Sequence, residues 1–173
     1  MTNHSDDAAA GSSEDEVRTS VSTDTRGGQT DEPYDVLVVG SGVAGLTASV
    51  FTARAGLTTV VVNDGESILR RNAHLENFPG FPAGVNSNLF TDMLEAQSTR
   101  NGADHVEGRV AAVRRLDDDA ESEGQFLAEV DGAEDDTELA ARFVVAASWS
   151  ETDYLDALDV DIRDAGSKCY VRS

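Results

Sequence analysis

The chain has 173 residues, which is enough for one domain with a sizeable core but too few for two full nucleotide-binding domains. Its 33 acidic and 13 basic residues give a formal net charge of −20, which repels nucleic acid and anionic lipid. Such a charge is typical of a halophilic, salt-adapted protein. The alternative is an ordinary acidic domain with a charged tail. No apolar run is long enough to span a bilayer, and no secretory or transit signal is present, so we expect a cytoplasmic protein without a membrane partner.

The first segment, residues 1–32, is predicted to be a disordered acidic tail. It is rich in Ser, Thr, Gly and Asp and contains no aromatic residue. Such a segment cannot bury enough surface to offset the entropy lost on ordering. The folded domain is therefore expected to comprise residues 33–173.

A βαβ unit follows. Residues 36–39 form an apolar run typical of a buried parallel strand, residues 43–55 predict a helix that ends before Gly56, and residues 58–62 predict a second strand. Gly40, Gly42 and Gly45 complete a GxGxxG pattern between the first strand and the helix. This order of strand, turn and helix is the context in which the pattern indicates dinucleotide binding.

Each glycine of the pattern has its own expected task. The first permits the tight turn, the second lets the backbone approach a diphosphate, and the third lets the helix pack closely on the strand. The unpaired amides at the helix start carry the positive end of its dipole, so they bind a diphosphate without Lys or Arg. The predicted diphosphate-binding residues are Gly40, Ser41, Gly42, Val43, Ala44 and Gly45.

The second strand ends at Asn63 and Asp64, where a dinucleotide-binding fingerprint usually has an acidic residue that binds the adenosine ribose. Asn can still hydrogen-bond a ribose, and it lacks the charge that would repel a 2′-phosphate. We expect these two residues either to contact the ribose or to serve only as turn residues.

The remaining elements complete an α/β domain. A partly helical loop and a PGFPAG turn (79–84) precede a helix at 87–101, with Ser87 or Asn88 as N-cap. One face of this helix carries Leu89, Phe90, Met93, Leu94 and Gln97 and is expected to be buried. Strand-like runs at 104–116 and 124–130 flank the acidic loop 117–123, and residues 143–147 form a strand that returns to the parallel sheet. The sequence thus predicts a Rossmann-like fold with a parallel sheet and a small antiparallel meander.

Residues 34–158 resemble the FAD-binding domain of thioredoxin-reductase-like flavoproteins, which belong to the pyridine nucleotide-disulfide oxidoreductase class. The resemblance rests on VVGSGVAGLTASVFTARAGL (38–57), HLENFPGFP (74–82) and FVVAASWSETDYLDAL (143–158). It implies an oxidoreductase that binds FAD, with NAD(P)H as the candidate electron donor. It also implies that Asn77 lies near the flavin, that the backbone around Val106 approaches the adenine, and that Ala146 and Ala147 pass the cofactor.

The sequence departs from that family in several places. It has ESILRR at 66–71 where the family has Gly-Gly-Gln, and Trp149 where the family has a glycine. Cys169 is the only cysteine, so the Cys-x-x-Cys is absent, as are a second glycine fingerprint and the late Gly-Asp segment. These departures imply a domain that is incomplete at its C-terminus, either truncated or naturally minimal, and without dithiol chemistry of its own.

Three functions remain open at this point: an FAD-dependent oxidoreductase, a non-catalytic or remnant dinucleotide-binding module, and, with less support, an NAD-dependent dehydrogenase. His74 precedes the ENFPG turn and is a minor candidate for proton transfer. No His has a spacing that would make a metal site with Cys or carboxylate partners, so no metal is assigned. A sheet edge left exposed by the missing segment would favour a homodimer.

Overall fold

The structure is a computed structural model that describes residues 32–116, 125–132, 137–148 and 152–158. Residues 1–31 of the expected tail, the acidic loop 117–123, Trp149 and Cys169 lie outside these ranges. The predictions made for them therefore stay predictions.

The βαβ unit forms as predicted. Strand β1 (Tyr34–Val39) leads into helix α1 (Val43–Arg54), and β2 (Thr59–Asn63) returns parallel to β1. Both strands are apolar and almost entirely buried, which is the pattern of a parallel sheet covered on both faces. Gly56, with a φ of 85°, lies just beyond the last turn of α1, where a left-handed residue ends a helix.

The βαβ unit is followed by a 3₁₀ helix (Ile68–Arg71) and a two-stranded hairpin of β3 (His74–Leu75) and β4 (Val85–Asn86). Helix α2 (Ser87–Arg100) follows, and then the strands β5 (Asp104–Arg115), β6 (Phe126–Gly132) and β7 (Thr137–Ala146). A second 3₁₀ helix (Asp153–Leu158) packs against β5. The elements expected from the sequence are confirmed, and β7 is longer than predicted.

Five strands close into a barrel in the order β1-β2-β5-β6-β7. The first residues of β5 pair parallel with β2, and the last residues of β7 pair parallel with β1. The other halves of these two long strands pair antiparallel with β6. The parallel sheet and the antiparallel meander are therefore two parts of one closed sheet, because β5 and β7 belong to both.

The sheet divides the core into two layers. Leu37, Val39, Val60 and Val62 face the barrel interior, where they pack with Val110, Val113, Ala128 and Val130 of the meander. Val36, Val38 and Val61 form a smaller cluster on the opposite face, which α1 covers. This arrangement follows from the alternation of side chains along a strand. It leaves the carboxyl ends of β1, β2 and β7 at one edge of the parallel sheet.

Helix α2 differs from the prediction at its start and on its buried face. Its N-cap is Asn86, whose Oδ1 accepts a hydrogen bond from the Leu89 amide at 3.0 Å. The buried side chains are Ser87, Phe90, Thr91 and Ser98, whereas Leu89 and Met93 are exposed. The apolar pattern was misleading because α2 packs on α1 through small polar residues, which let the two helices approach closely. None of the described helices is long and apolar enough to cross a membrane.

Candidate dinucleotide site

The glycine turn begins at Gly40, which leaves β1 with a φ of 103°. Its amide donates to the carbonyl of Val62 at 2.8 Å, and a Cβ at this position would lie 2.9 Å from the carbonyl oxygen of Ala147. An L side chain is therefore disfavoured both by the backbone conformation and by contact with the segment after β7. The predicted tight turn is confirmed.

Gly45, in the first turn of α1, is enclosed even more closely. A Cβ there would lie 1.9 Å from the Gly40 carbonyl oxygen and 3.2 Å from Cγ1 of Val38. The helix therefore contacts β1 and the turn directly through the Gly45 backbone. The predicted close packing of helix on strand is confirmed.

Gly42, by contrast, has room for a side chain. It is the N-cap of α1, with a φ of −73°, and only the Ser67 hydroxyl oxygen would come within 4 Å of a Cβ built on it, at 3.9 Å. No side chain caps this helix, and its first turn contains no acidic residue. The amides of Val43, Ala44 and Gly45 lack the carbonyl partners that later helical residues have. The turn thus presents uncapped backbone donors beside a gap that a side chain would fill.

The end of β2 braces the same turn. Oδ1 of Asn63 accepts a hydrogen bond from the Ser41 amide at 3.3 Å, and its Nδ2 donates to the carbonyl of Gly65. Asp64 is exposed beside it. The structure therefore gives Asn63 a bracing role in the turn, and the amide group retains one donor hydrogen and acceptor capacity for the predicted ribose contact.

The segment after β7 forms the third wall of the site. The Ala147 amide donates to the Val39 carbonyl at 2.9 Å, and exposed Ala146 pairs with Val39 across the sheet. The Ser148 hydroxyl lies 2.8 Å from the hydroxyl of Tyr154. Burial raises the pKa of Tyr154, and the hydrogen bond from Ser148 opposes that shift. This wall therefore brings Ala147 against Gly40, and the predicted passage of Ala146 and Ala147 beside the cofactor remains a prediction.

Val106 and Asn77 have different surroundings. Val106 pairs with Val62 on the neighbouring strand, and its half-buried side chain packs into the barrel interior, so only its backbone can face a ligand. Asn77 is exposed in the loop between β3 and β4, whose Phe78 and Phe81 pack on Phe90 of α2 with ring centroids 4.6 and 5.5 Å away. Their predicted cofactor contacts remain predictions.

His74 holds the same hairpin together. Its Nε2 lies 3.1 Å from the carbonyl oxygen of Ala83, and a Cβ on Gly84 would collide with the imidazole ring. This hydrogen bond gives the imidazole a structural partner. It does not support the suggested role in proton transfer.

Ser67 is the residue of this site that the sequence did not identify. It caps the 3₁₀ helix Ile68–Arg71, where its Oγ accepts from the Leu69 amide at 3.3 Å. A Ser before a helical segment predicts an N-cap. No sequence signal predicts that this hydroxyl faces Gly42, because the two residues are 25 positions apart.

Other features of the described residues lie away from the turn. A cavity of about 210 Å³ between β5, β6 and the second 3₁₀ helix is lined by Arg109, Asp131, Asp153 and Tyr154, among others. In the described ranges no group of three or more His, Cys, Asp or Glu could hold a metal ion. The glycine turn is therefore the arrangement with the clearest ligand chemistry.

Comparison with known proteins supports the same site. The sequence profile of the FAD binding domain matches residues 35–74, which include the whole turn and Asn63. A thioredoxin reductase of Aquifex aeolicus is 34% identical over 108 residues, covering 61% of this chain and 32% of that protein. The chain thus spans about a third of the length of this relative.

Two solved structures share the fold. A thioredoxin reductase from Giardia duodenalis superposes with a TM-score of 0.57 at 21% identity, over 66% of this chain and 35% of its own. An oxidoreductase from Agrobacterium tumefaciens gives 0.53 at 27% identity, over 66% and 36%. The parallel sheet, the meander and the open glycine turn fit FAD, and the chain is similar to thioredoxin reductases in the sequence of its FAD-binding region and in its fold.

Proposed function

We propose that this chain is an FAD-dependent oxidoreductase that transfers electrons through its flavin, with NADPH or NADH as donor and without dithiol chemistry of its own. The observation that carries the proposal is the gap over Gly42 beside an uncapped helix start. A turn that only connected β1 to α1 would gain roughly a few tenths of a kcal/mol from a Ser, Asp or Asn cap, whose side chain would accept from the first amides. The chain has a glycine there instead.

The charge distribution supports a diphosphate in this gap. No Lys or Arg occurs between Tyr34 and Ala53, although the chain as a whole carries a net charge of −20. A diphosphate must therefore be neutralised by the backbone amides and the dipole of α1, which together act as about half a positive charge. Concentrated salt reduces the repulsion between the ligand and the acidic surface.

Each wall of the site has a task in this proposal. Gly42 admits the diphosphate, Asn63 fixes the turn and offers its remaining amide hydrogen to the ribose, and Ala147 closes the turn against Gly40. When bound, FAD supplies the hydride and electron chemistry, while the protein supplies binding and orientation. The sequence contains one cysteine, Cys169, so this chain alone cannot form the cysteine pair needed for disulfide exchange.

The test is an absorption spectrum of the protein in molar KCl, with and without added FAD. We expect a bound-flavin spectrum from the wild type and none from Gly42→Val, because the valine side chain would occupy the gap. The built Cβ makes no contact closer than 3.9 Å, so far-ultraviolet circular dichroism should be unchanged by this substitution. Flavin bound equally by Gly42→Val would contradict the diphosphate assignment.

The second candidate is a dinucleotide-binding module without turnover. The observation that favours it is the lack of any cysteine pair in this sequence. Bleaching of the bound flavin by NADPH or NADH under anaerobic conditions separates the two functions. Bleaching by either nucleotide supports the oxidoreductase, and a bound flavin that neither nucleotide reduces supports the module.

A further inference from the structure

We infer that the Ser67 hydroxyl donates a hydrogen bond to the diphosphate of the bound dinucleotide, and that Arg70 is the positioning residue that holds Ser67 over the turn. This inference rests on the proposed function. It concerns the segment ESILRR at 66–71, where the sequence departs from the family's Gly-Gly-Gln.

The geometry over Gly42 carries the first half of the inference. Ser67 Oγ is the nearest atom to the missing Cβ, at 3.9 Å, so the hydroxyl forms the opposite wall of the gap. A phosphate oxygen on the line from the Gly42 Cα to Ser67 Oγ would clash with the Cα, but one set to the side of that line can contact the glycine and still accept a hydrogen bond from the hydroxyl. A diphosphate that packs against Gly42 therefore lies beside this hydroxyl.

The proton of Ser67 is available for such a bond. Its Oγ already accepts from the Leu69 amide, which occupies one lone pair and leaves the hydroxyl hydrogen to be donated. Among the described residues this hydrogen has no acceptor. Hydrogen bonds to charged groups are about twice as strong as neutral ones, so a phosphate oxygen is a favourable acceptor.

The contacts of Arg70 support the second part of the inference, that this residue positions Ser67. Its guanidinium lies 2.6 Å from Oδ1 of Asp92 and 3.2 Å from Oε2 of Glu95, both on α2, and its amide donates to the Ser67 carbonyl at 2.9 Å. The two ion pairs fix the 3₁₀ helix against α2, which itself packs on α1. Arg70 thereby links the position of Ser67 to the helix whose N-terminus forms the site.

The experiment measures FAD dissociation constants by titration in molar KCl for Ser67→Ala, Ser67→Thr, Arg70→Gln and the double variant. We expect affinity to fall about tenfold in Ser67→Ala, as for loss of a hydrogen bond to a charged group, and to be largely kept in Ser67→Thr. Arg70→Gln should weaken binding a few-fold, and this effect should vanish in the Ser67→Ala background because Arg70 acts through Ser67.

The matched control is Arg71→Gln. Arg71 lies on the same 3₁₀ helix, is exposed and forms no ion pair with a described residue, so its loss should leave the affinity unchanged. An equal effect of Arg71→Gln would show a general charge effect and overturn the role of Arg70. So would an Arg70→Gln effect that persists fully without the Ser67 hydroxyl.

The outcomes separate this inference from the proposed function. If Gly42→Val loses FAD while Ser67→Ala binds it normally, the inference is wrong and the function stands. If the wild type binds no FAD, both fail. At saturating FAD, Ser67→Ala should leave the bound-flavin spectrum unchanged, because the diphosphate is remote from the ring; a shifted spectrum would place the contact at the flavin and overturn the assignment.

Discussion

Polar groups at the N-terminus of α1 and polar groups in the middle of α1 have opposite surroundings. At the start of the helix the backbone amides have no cap and face the gap over Gly42. About two turns later, Ser49 is fully buried, yet it is hydrogen-bonded to the carbonyl of Leu46 at 2.8 Å and to Ser98 of α2 at 2.7 Å. Among the residues that the structure describes, the amides at the start of the helix lack partners, whereas the Ser49 hydroxyl has both a donor and an acceptor.

The buried end can be assigned proton by proton. Ser49 has one hydroxyl hydrogen and gives it to Leu46, so Ser98 must be the donor in the bond between the two serines. Ser98 then accepts from Nε2 of His105, which lies 3.0 Å away on β5. The series of hydrogen bonds runs from His105 through Ser98 and Ser49 to a carbonyl, and it is a closed structural network that joins α1, α2 and β5.

The contrast shows how to separate ligand sites from internal structure in a protein without a bound ligand. Polar groups that satisfy one another need no ligand, and buried networks of this kind stabilise one packing. Donors that remain unpaired beside an open gap indicate a partner from outside. Both kinds of group occur on α1, so the comparison can be tested with small substitutions on and around one helix.

The largest effect is expected from Gly45→Ala compared with Gly42→Ala. The Cβ added at 45 would lie 1.9 Å from a backbone oxygen, so the turn or the helix must shift, at a cost of about 3 kcal/mol in unfolding free energy. The Cβ added at 42 meets nothing closer than 3.9 Å, and the change in stability should stay within about 1 kcal/mol.

Urea unfolding of the apoproteins in molar KCl measures both changes. If Gly45→Ala were as stable as the wild type, Gly45 would not be required by packing and the comparison would fail. Destabilisation by Gly42→Ala as large as that by Gly45→Ala would likewise show that the gap over Gly42 is not open in solution.

The next effect is expected from two buried serines of α2. Ser98→Ala removes the donor to Ser49, which keeps its bond to the Leu46 carbonyl, and leaves the half-buried Nε2 of His105 without this acceptor, which should cost about 2 kcal/mol. Ser87 is also fully buried, but its hydroxyl has no partner among the described residues. Ser87→Ala should therefore be neutral or stabilising by up to about 1 kcal/mol.

The same unfolding experiment compares the two alanine variants, and FAD titration provides the second measurement. Ser98→Ala should change stability while leaving FAD affinity within a factor of about two, because the network does not face the turn. A large loss of affinity would show that the buried network and the glycine turn are coupled.

Much of the fold and part of the site were predictable from the sequence. The order strand, glycine turn and helix is a local pattern, so the tight turn at Gly40 and the close packing at Gly45 follow from the sequence alone. The strands β5 and β7 were also visible as apolar runs. The sequence did not predict that β5 and β7 each take part in both the parallel sheet and the meander. Pairing between distant strands depends on the closed barrel rather than on local pattern.

Contacts between distant segments account for the remaining differences. Leu89 and Met93 are exposed because α2 packs on α1 through Ser98 and Ser49. The spacing of apolar residues cannot predict a helix contact that serine side chains make. Asn63 was predicted to contact a ribose or to serve only in a turn, and its amide braces that turn at Ser41. Ser67 could not be placed over Gly42, since that contact joins two loops from separate parts of the chain.

The smallest expected effect is a pH dependence of stability at His105. Burial lowers the pKa of this imidazole, and the nearby carboxylates of Glu95 and Asp104 oppose that shift. Since the pKa is lower in the folded than in the unfolded protein, the unfolded chain binds the proton more readily once the pH falls below about 6.5. Stability contributed by the neutral imidazole is present above that pH and is lost as the pH falls further towards the folded pKa.

The measurement compares the unfolding free energy of the wild type and His105→Gln between pH 8 and pH 5 in molar KCl. Glutamine can still donate to Ser98 but does not titrate, so the acidic surface contributes equally to both proteins and cancels in the difference. We expect the wild type to lose stability relative to the variant only below about pH 6.5. If the difference in unfolding free energy stays constant, or grows in favour of the wild type in acid, burial does not lower the pKa of His105. Water would then reach the hydrogen-bond network of His105, Ser98 and Ser49.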